Sequence, residues 1–296
     1  NLNSSIEKGT YTSINNPNSP SSTTFGYYCF DTCIVDQTFI IDCSDIDDLK
    51  RFVFNHQTDN SDYETGYPIF ASDQPDWGSI GSNVTWSPGA ANNPFGSESG
   101  IVYLDEDFVI PTGKYVKLSN MEFYFANGKK AIVNIGSTLR LEGTKLSAET
   151  TCTPTAMWNG VYIEGNPGVI QNTANQGTLS MASGSEISNA ITAVTVEGGA
   201  ICKIYAGDFI NNKTGIYFYP HTYAPMPNYN ASLVQLANFT INGALNNGNT
   251  PSYMIYMNGV KGINITSCNF LNSRGSDIAA ASRGYAIRSN STNFKL

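Results

Sequence analysis

Short alternating runs of hydrophobic and polar residues fill the chain from about residue 101 onward. Each run has three to five residues with apolar side chains at every second position, and Gly, Asn, Ser or a charged residue bounds it. The first six runs are "IVYL", "DFVI", "YVKL", "MEFYF", "AIVNI" and "TLRL". Alternation of this kind is typical of short β-strands with one buried face.

Two families of segments then alternate through five cycles. The first family is "TLRLEGTKL" (138–146), "TLSMASGSEI" (178–187), "ICKIYAGDF" (201–209), "LVQLANFTI" (233–241) and "GINITSCNF" (262–270). The second is "GVYIEG" (160–165), "AVTVEG" (193–198), "GIYFYP" (215–220), "MIYMNG" (254–259) and "GYAIRS" (284–289). Fixed segments separated by spacers of variable length are typical of a solenoid, because insertions between strands leave the stacking of coils intact.

The repeats therefore predict an all-β fold in which residues 101–296 form a parallel β-helix. One residue of each first-family segment is expected in a single vertical file of the core, namely Leu141, Met181, Ile204, Leu236 and Ile265. Val194 and Val196 are expected to point inward, and Thr195 and Glu197 outward. An antiparallel sandwich of short strands is the alternative fold, and the alternation of two repeat families argues against it.

Residues 1–100 are expected to be irregular and to pack on the solenoid or cap it. Turn-rich stretches such as 15–24 and 86–100 interrupt any periodicity. One short helix is predicted, with Ser44 as its N-cap and several acidic residues in its first turn. Its apolar face would hold Ile46, Leu49, Phe52 and Val53.

Composition narrows the class of protein. Hydrophobic residues make up 41% of the chain, enough for a core, whereas charged residues make up only 14%. The net charge of -8 argues against a nucleic-acid partner. No apolar run approaches the roughly 20 residues of a membrane helix. Because the sequence starts at Asn1 with neither Met nor a signal peptide, we interpret it as mature or trimmed.

Three of the six cysteines, Cys29, Cys33 and Cys43, cluster near the start of the chain. Their spacing does not fit a zinc finger, and neither His56 nor His221 is close in sequence, so a zinc site is the weaker interpretation. One disulfide among the three is expected, in an oxidising compartment. Cys202 and Cys268 lie within apolar segments, and both are predicted to be small buried residues.

The stretch 107–166, above all "IVNIGSTLRLEG" and "MWNGVYIEG", resembles right-handed parallel β-helix domains of large secreted proteins of Bacteroidota. The coil "GDFINNKTGIYF" (207–218) is similar to the Asn-turn coils of the pectin-lyase-like superfamily. The resemblance implies a right-handed coil and export to the cell surface, often by the type IX route. This scaffold carries lyases, hydrolases, adhesins and stalks, so the resemblance does not specify an activity.

Acidic residues offer weak candidates for catalysis or metal binding. Glu164 and Glu197 are expected to stack on adjacent coils, where such a pair holds Ca²⁺ or shares a proton in an acid/base couple. The simpler interpretation is that both glutamates are solvent-exposed residues that precede a glycine turn. A third acidic group, Asp105, Glu106 and Asp107, lies at the start of the solenoid rather than along its body. We therefore predict no catalytic residue, metal or cofactor, and Glu164 and Glu197 remain the candidates for Ca²⁺.

Outward tyrosines are the candidate ligand-binding residues. The register places Tyr162, Tyr217 and Tyr256 on one outer column, with Tyr219 beside them. The inserted stretch that follows adds the candidates His221 and Tyr223, and also Tyr229. Exposed tyrosine rings near Asn and Glu suit the faces and hydroxyls of sugars. Alternatively, the inserted loop folds back and buries these rings.

The last segment, "YAIRSNSTNFKL", contains no amphipathic helix to cap a solenoid, so further subunits or further chain are expected there. Together these features predict a secreted or cell-surface β-helix with a structural or adhesive role in a larger protein or assembly, binding a polysaccharide or another surface polymer. The alternatives are a polysaccharide lyase or glycoside hydrolase of the pectin-lyase-like fold, and a phage-type tailspike.

Overall fold

Nearly all the regular secondary structure in the described part of the chain is β-strand, as a computed structural model shows. It describes strands at 22–27, 37–42 and 69–71, and then residues 75–95, 100–150, 155–221, 223, 225, 229–274, 279 and 282–296. The predicted helix after Ser44 lies outside these described residues, as do Cys29, Cys33 and Cys43. A short 3-10 helix spans Asn246–Gly248.

The strands, numbered β1 to β25 in chain order, form one hairpin and three parallel sheets. The antiparallel hairpin is β1 (Ser22–Tyr27) and β2 (Gln37–Asp42). Sheet 1 contains β4 (Asn83–Trp86), β7 (Tyr115–Ser119), β10 (Thr138–Glu142), β13 (Thr178–Met181), β16 (Ile201–Ile204), β19 (Leu233–Gln235), β22 (Lys261–Thr266) and β25 (Asn293–Lys295). Sheet 2 contains β3 (Ile69–Ala71), β5 (Ile101–Leu104), β8 (Glu122–Phe125), β11 (Lys145–Ala148), β14 (Glu186–Ser188), β17 (Gly207–Ile210), β20 (Ala237–Ile241) and β23 (Asn269–Asn272). Sheet 3 contains β6 (Phe108–Ile110), β9 (Ala131–Val133), β12 (Val161–Ile163), β15 (Thr192–Val196), β18 (Thr214–Phe218), β21 (Tyr253–Asn258) and β24 (Tyr285–Asn290).

Consecutive strands from β4 onward visit sheets 1, 2 and 3 in strict rotation. Each strand therefore pairs in parallel with the strand three places earlier or later in the chain. This connectivity is consistent with a parallel β-helix in which three strands make one coil. The first complete coil is β4 to β6, and β3 already pairs with β5. The stacked sheets thus begin before residue 101, where the sequence analysis placed their start. The sequence analysis missed the short strand Asn83–Trp86 because turn-rich residues on both sides obscure its alternation.

The core runs along the inside of the three sheets. Most strands alternate buried and partly exposed residues, as in the pattern of Tyr115–Ser119. On sheet 1 the central file is Leu118, Leu141, Met181, Ile204, Val234 and Ile265. On sheet 3 the corresponding file is Val161, Val194, Ile216, Ile255 and Ile287. The predicted stacking of the second family of segments is therefore confirmed.

The prediction for Leu236 is wrong, because Val234 takes its place in the sheet 1 file. Leu236 lies in the turn between β19 and β20 with a φ of 54°, and 60% of its surface is exposed. The turn after a sheet 1 strand has a left-handed residue in other coils too, at Asn120, Gly143 and Ser267. A single left-handed residue redirects the chain into sheet 2, so a side chain at this position leaves the core.

The two described cysteines are both free. Cys202 is fully buried on β16, as predicted, and burial raises the pKa of its thiol. Cys268 lies outside a strand, in the turn before β23, and is only partly buried. The prediction that Cys268 is buried within a strand is therefore wrong, since the tight turn after β22 displaces it from the strand.

The two ends of the column differ in how their cores are covered. At the N-terminal end Phe95 packs edge-on against Trp86 and Phe123, with ring centroids 5.7 and 5.4 Å apart, and all three are buried. At the C-terminal end Ile287 and Phe294 are only partly buried. Among the described residues, none of the helical segments has both the length and the apolar character needed to span a bilayer.

Candidate functional site

The outer face of sheet 3 carries a column of aromatic and polar side chains. In register along it are Tyr162, Thr195, Tyr217, Tyr256 and Arg288. Tyr162, Thr195, Tyr217 and Tyr256 are each flanked on their strands by buried core residues, so alternation turns them outward. The register between the three tyrosines is the one predicted from the sequence.

Five tyrosine rings of this face form a continuous cluster. Tyr217 lies 4.5 Å from Tyr219 and 4.7 Å from Tyr256, measured between ring centroids. Tyr253 lies 4.9 Å from Tyr256 and 5.9 Å from Tyr285. We call these five residues the tyrosine cluster. They span three successive coils, and Tyr219 and Tyr285 are the most exposed of them.

Tyr253 and Tyr285 are members of this cluster that sequence reasoning missed. They are partners in the register of β21 and β24, at the start of each strand. Tyr253 is three residues before Tyr256, so strict alternation puts the two on opposite faces, whereas their rings stack. The sequence did contain a signal for these two residues, because a tyrosine occupies the first position of two successive second-family strands.

Arg288 completes the C-terminal side of the tyrosine cluster. Its guanidinium lies 5.4 Å from the ring centre of Tyr253 and 5.8 Å from that of Tyr285. Its Nη1 also donates a hydrogen bond to the Tyr253 hydroxyl at 2.9 Å. These contacts place a positive charge on the ring faces and orient both tyrosines.

Tyr162 lies apart from the cluster, because Thr195 occupies the intervening coil. The Lys130 ammonium is 5.3 Å from its ring centre. Burial, a hydrogen bond to Glu197 and the negative charges of Glu197 and Glu164 raise the pKa of the Tyr162 hydroxyl to about 12. The hydroxyl therefore stays protonated and donates to Glu197 at any physiological pH.

Glu164 and Glu197 follow β12 and β15 on adjacent coils, and the Glu197 amide donates to the Ile163 carbonyl. Each carboxylate has a partner within the protein. Glu164 Oε2 accepts from the Ile135 amide at 3.3 Å, and Glu197 accepts from the Tyr162 hydroxyl. Within the parts of the chain that the structure describes, no group of three or more His, Cys, Asp or Glu side chains is placed to hold a metal ion.

The acidic residues Asp105, Glu106 and Asp107 follow β5 in the first complete coil. Asp107 Oδ1 accepts a hydrogen bond from the Lys130 amide at 3.0 Å. This carboxylate thereby ties one coil to the next. The group lies at the opposite end of the column from Tyr253 and Tyr285.

The structure places His221 away from the exposed ligand surface that the sequence predicted for it. Only 5% of its surface is exposed, and it forms a parallel bridge with Val260. Burial lowers the pKa of its imidazole, which favours the neutral form. Tyr223 is partly buried and Tyr229 is exposed, and they lie in a stretch where residues 222, 224 and 226–228 are outside the description.

A cavity of about 150 Å³ adjoins the tyrosine cluster at the corner between sheets 2 and 3. Tyr253 and Tyr285 form part of its wall, and Lys213 and Arg283 add two cationic side chains. Asn212 in the same wall is held rigidly, since its side chain accepts from the Ala190 amide and donates to the Ile187 carbonyl. The cavity therefore combines aromatic faces with positive charge.

Comparison with known proteins gives no further guide to the site: no family model, curated protein or solved structure matches the chain.

Proposed function

We propose that the chain is an extracellular β-helix with a structural or adhesive role, and that it binds a polysaccharide or another surface polymer through the tyrosine cluster. The observation that carries this proposal is the contact of five tyrosine rings across three coils on the outside of sheet 3. A right-handed winding, a place in a larger surface assembly and a Bacteroidota-type secreted origin belong to the same proposal and rest on the resemblance of residues 107–166.

The geometry of the tyrosine cluster suits an extended polymer. Parallel strands of successive coils lie about 4.8 Å apart, so rings on three coils form a row along the column. Each ring offers a flat apolar face, and each hydroxyl offers a hydrogen bond at its edge. A sugar chain has the matching combination of apolar ring faces and peripheral hydroxyls.

Positive charge around the tyrosine cluster favours an acidic polymer. Arg288 lies over two of the rings, and Lys213 lines the adjoining cavity. The chain as a whole carries a net charge of -8, so this concentration of cations is local. Carboxylate or sulfate groups on a polymer would find these cations within reach of the stacked rings.

The test is to replace Tyr217, Tyr253 and Tyr256 together by Ala and to measure binding to immobilised acidic and neutral polysaccharides. Each ring is expected to contribute about 1 kcal/mol or more. Because 1.4 kcal/mol is a factor of ten, the triple variant should bind about a hundredfold more weakly. An acidic probe such as alginate should bind more tightly than dextran to the parent protein.

The matched control is Tyr205→Ala, which removes an exposed tyrosine after β16 on sheet 1. It should leave binding unchanged. Equal binding by the triple variant, with an unchanged circular dichroism spectrum, would exclude the tyrosine cluster as the binding surface. Binding lost in the Tyr205 control as well would indicate a general surface effect.

No observation favours the alternatives of a polysaccharide lyase, a glycoside hydrolase or a tailspike. Glu164 and Glu197, the candidates for acid/base catalysis or Ca²⁺ binding, accept hydrogen bonds from the Ile135 amide and the Tyr162 hydroxyl. Both contacts run between adjacent coils, which supports a role for the two carboxylates in joining coils.

A further inference from the structure

Five Asn–Gly pairs occur in the chain, and all five lie within the described residues. An asparagine that precedes glycine is chemically labile, because glycine has no side chain to hinder attack of its own amide nitrogen on the asparagine side-chain carbonyl carbon. Four of the five asparagines are exposed and the fifth is partly buried, so exposure alone does not decide which pair reacts. The pairs are Asn127–Gly128, Asn159–Gly160, Asn242–Gly243, Asn247–Gly248 and Asn258–Gly259.

Two of these pairs are held by an asparagine of a neighbouring coil. The Asn258 amide oxygen accepts from the Asn290 side chain at 3.2 Å, and the N–H of the glycine after Asn258 donates to the Asn290 carbonyl at 2.8 Å. The Asn242 amide oxygen accepts from the Asn211 side chain at 2.8 Å, and the N–H of the glycine after Asn242 donates to Asn211 Oδ1 at 3.3 Å. In both pairs the attacking nitrogen and the side chain under attack are therefore fixed.

Two further pairs are fixed by contacts beside β12. Asn127 Oδ1 accepts from the Met157 N–H at 3.2 Å, and the N–H of the glycine after Asn127 donates to the Met157 carbonyl at 3.0 Å. Asn159 Nδ2 donates to the Gly128 carbonyl at 2.6 Å. The backbone after Asn159 is also closely packed, since a side-chain carbon on Gly160 would lie 1.8 Å from a backbone carbonyl oxygen of the next coil.

Asn247 differs from the other four asparagines in its surroundings. It lies in the 3-10 helix Asn246–Gly248, which contains no buried residue. Within the part of the chain that the structure describes, no group hydrogen-bonds to the Asn247 side chain. A side-chain carbon on Gly248 would have nothing within 4 Å, so the backbone here lies in open space. With a ψ of 30° at Asn247 the Gly248 nitrogen points away from the side chain, so this turn has to open before attack, and opening breaks no core contact.

We propose that Asn247–Gly248 is a site of spontaneous covalent modification, with water as the only co-reactant. The Gly248 amide nitrogen bonds to Asn247 Cγ, the Cγ–Nδ2 bond breaks, and the proton of the attacking nitrogen leaves with Nδ2 as ammonia. The product is a cyclic succinimide. Water then adds across one of its two carbonyl carbon–nitrogen bonds. The result is aspartate, or isoaspartate, in which the main chain continues through Cγ.

The modification falls between two anchors of the insertion that follows β20. The Asn246 side chain donates to the Ala156 carbonyl at 2.8 Å, and Asn249 Nδ2 lies 3.3 Å from Met157 Sδ. Aspartate adds a negative charge between these anchors, and isoaspartate also adds one carbon to the main chain. The reaction therefore changes both the charge and the backbone length of this insertion.

The experiment is peptide mapping by mass spectrometry of the whole 296-residue chain during incubation at mildly alkaline pH, once folded and once in concentrated urea. In the folded protein Asn247 should convert about tenfold faster than the other four asparagines, a factor that corresponds to about 1.4 kcal/mol of opening free energy. In urea all five should convert at similar rates, since the contacts that distinguish them are lost. Equal rates at all five positions of the folded protein would overturn the proposal, as would a folded Asn247 that stays unchanged while the urea sample reacts.

The products and one variant test the route of the reaction. Opening of a succinimide gives a mixture of aspartate and isoaspartate, and isoaspartate is detected by methyl labelling with protein isoaspartate methyltransferase. Gly248→Ala places a methyl group beside the attacking nitrogen and should slow the conversion several-fold. Aspartate as the only product, or an unchanged rate in Gly248→Ala, would show that water attacks Asn247 directly and would exclude Gly248 as the nucleophile.

Asn211→Gly is the matched variant for the protective contacts. It removes both hydrogen bonds to the Asn242 pair, and glycine keeps the left-handed φ of 52° at this position. Asn242 should then convert at a rate close to that of Asn247, while Asn258 stays unreactive. If Asn242 remains unreactive in this variant, with an unchanged circular dichroism spectrum, the hydrogen bonds are not the source of the selectivity and the structural basis of the proposal fails.

Discussion

The backbone conformation of one residue, Leu236, decides which side chains form the core of sheet 1. The sequence places Leu236 in the same pattern as Leu141 and Met181, but its φ of 54° turns it out of the strand. Only glycine, and to a lesser degree Asn and Asp, adopts this left-handed conformation easily. Leucine is tolerated because its side chain is 60% exposed and the neighbouring Val234 fills the core.

Replacement of Leu236 by Gly should therefore stabilise the protein. Glycine removes a left-handed cost of about 1–2 kcal/mol. It adds an entropic cost of about 0.5–1 kcal/mol, so the net gain should reach about 1 kcal/mol. The measurement is the midpoint of urea unfolding, which should rise without a change in slope.

The matched control is Leu271→Gly, since Leu271 is also an exposed leucine but lies within β23. Glycine there should destabilise by about 0.5–1 kcal/mol, because the strand conformation does not require it. A loss of stability in both variants would contradict the left-handed strain at Leu236.

At the scale of an element, the packing around β12 explains why Trp and Gly precede the strand in "MWNGVYIEG". The Trp158 indole N–H donates to the Ser188 carbonyl at 2.8 Å, and its ring stacks 4.3 Å from Phe125. Gly160 has a φ of 75°, and a side-chain carbon on it would lie 1.8 Å from the Thr192 carbonyl oxygen. Tryptophan thus joins three coils, and glycine allows the next coil to approach.

Gly160→Ala should be severely destabilising for that reason. The added carbon meets backbone of β15 that cannot shift without breaking the register of β12 and β15, so the cost should be about 3 kcal/mol or more. Gly113→Ala is the control: Gly113 has a φ of 82° but nothing within 4 Å of the added carbon. It should cost about 1 kcal/mol, from the left-handed conformation alone. Equal losses in urea unfolding would show that the close contact is not the cause.

The strands also show which parts of the fold and of the tyrosine cluster could be predicted from the sequence. Alternation predicted the strands and the register of Tyr162, Tyr217 and Tyr256, because a strand with one buried face repeats every second residue. Alternation did not separate the strands of sheet 1 from those of sheet 2. Within "TLRLEGTKL" the chain turns from β10 into β11 at Gly143, and no polar loop marks the boundary between the two strands. Tyr253 was missed for a related reason: its ring reaches the outer face although strict alternation assigns it to the inner one.

At the scale of the whole molecule, each coil is stabilised by its neighbours above and below. Middle coils such as β13 to β15 have both neighbours, and in the N-terminal coil the Phe95 ring packs on Trp86. The C-terminal coil has a described neighbour on one side only. In an array with nearest-neighbour stabilisation, a coil with one described neighbour opens more easily than a coil with two.

Amide hydrogen exchange of the 296-residue chain should therefore be asymmetric along the column. We expect β13 to β18 to exchange slowest and β22 to β25 at least tenfold faster, a factor that corresponds to about 1.4 kcal/mol in opening free energy. Phe270→Ala should widen this gap, because the Phe270 ring stacks on Phe239, which in turn stacks on Phe209, and the change should leave exchange in β4 to β9 unchanged. Uniform protection from β4 to β25, or a Phe270 effect that spreads to the first coils, would mean that the column opens as one cooperative unit rather than coil by coil.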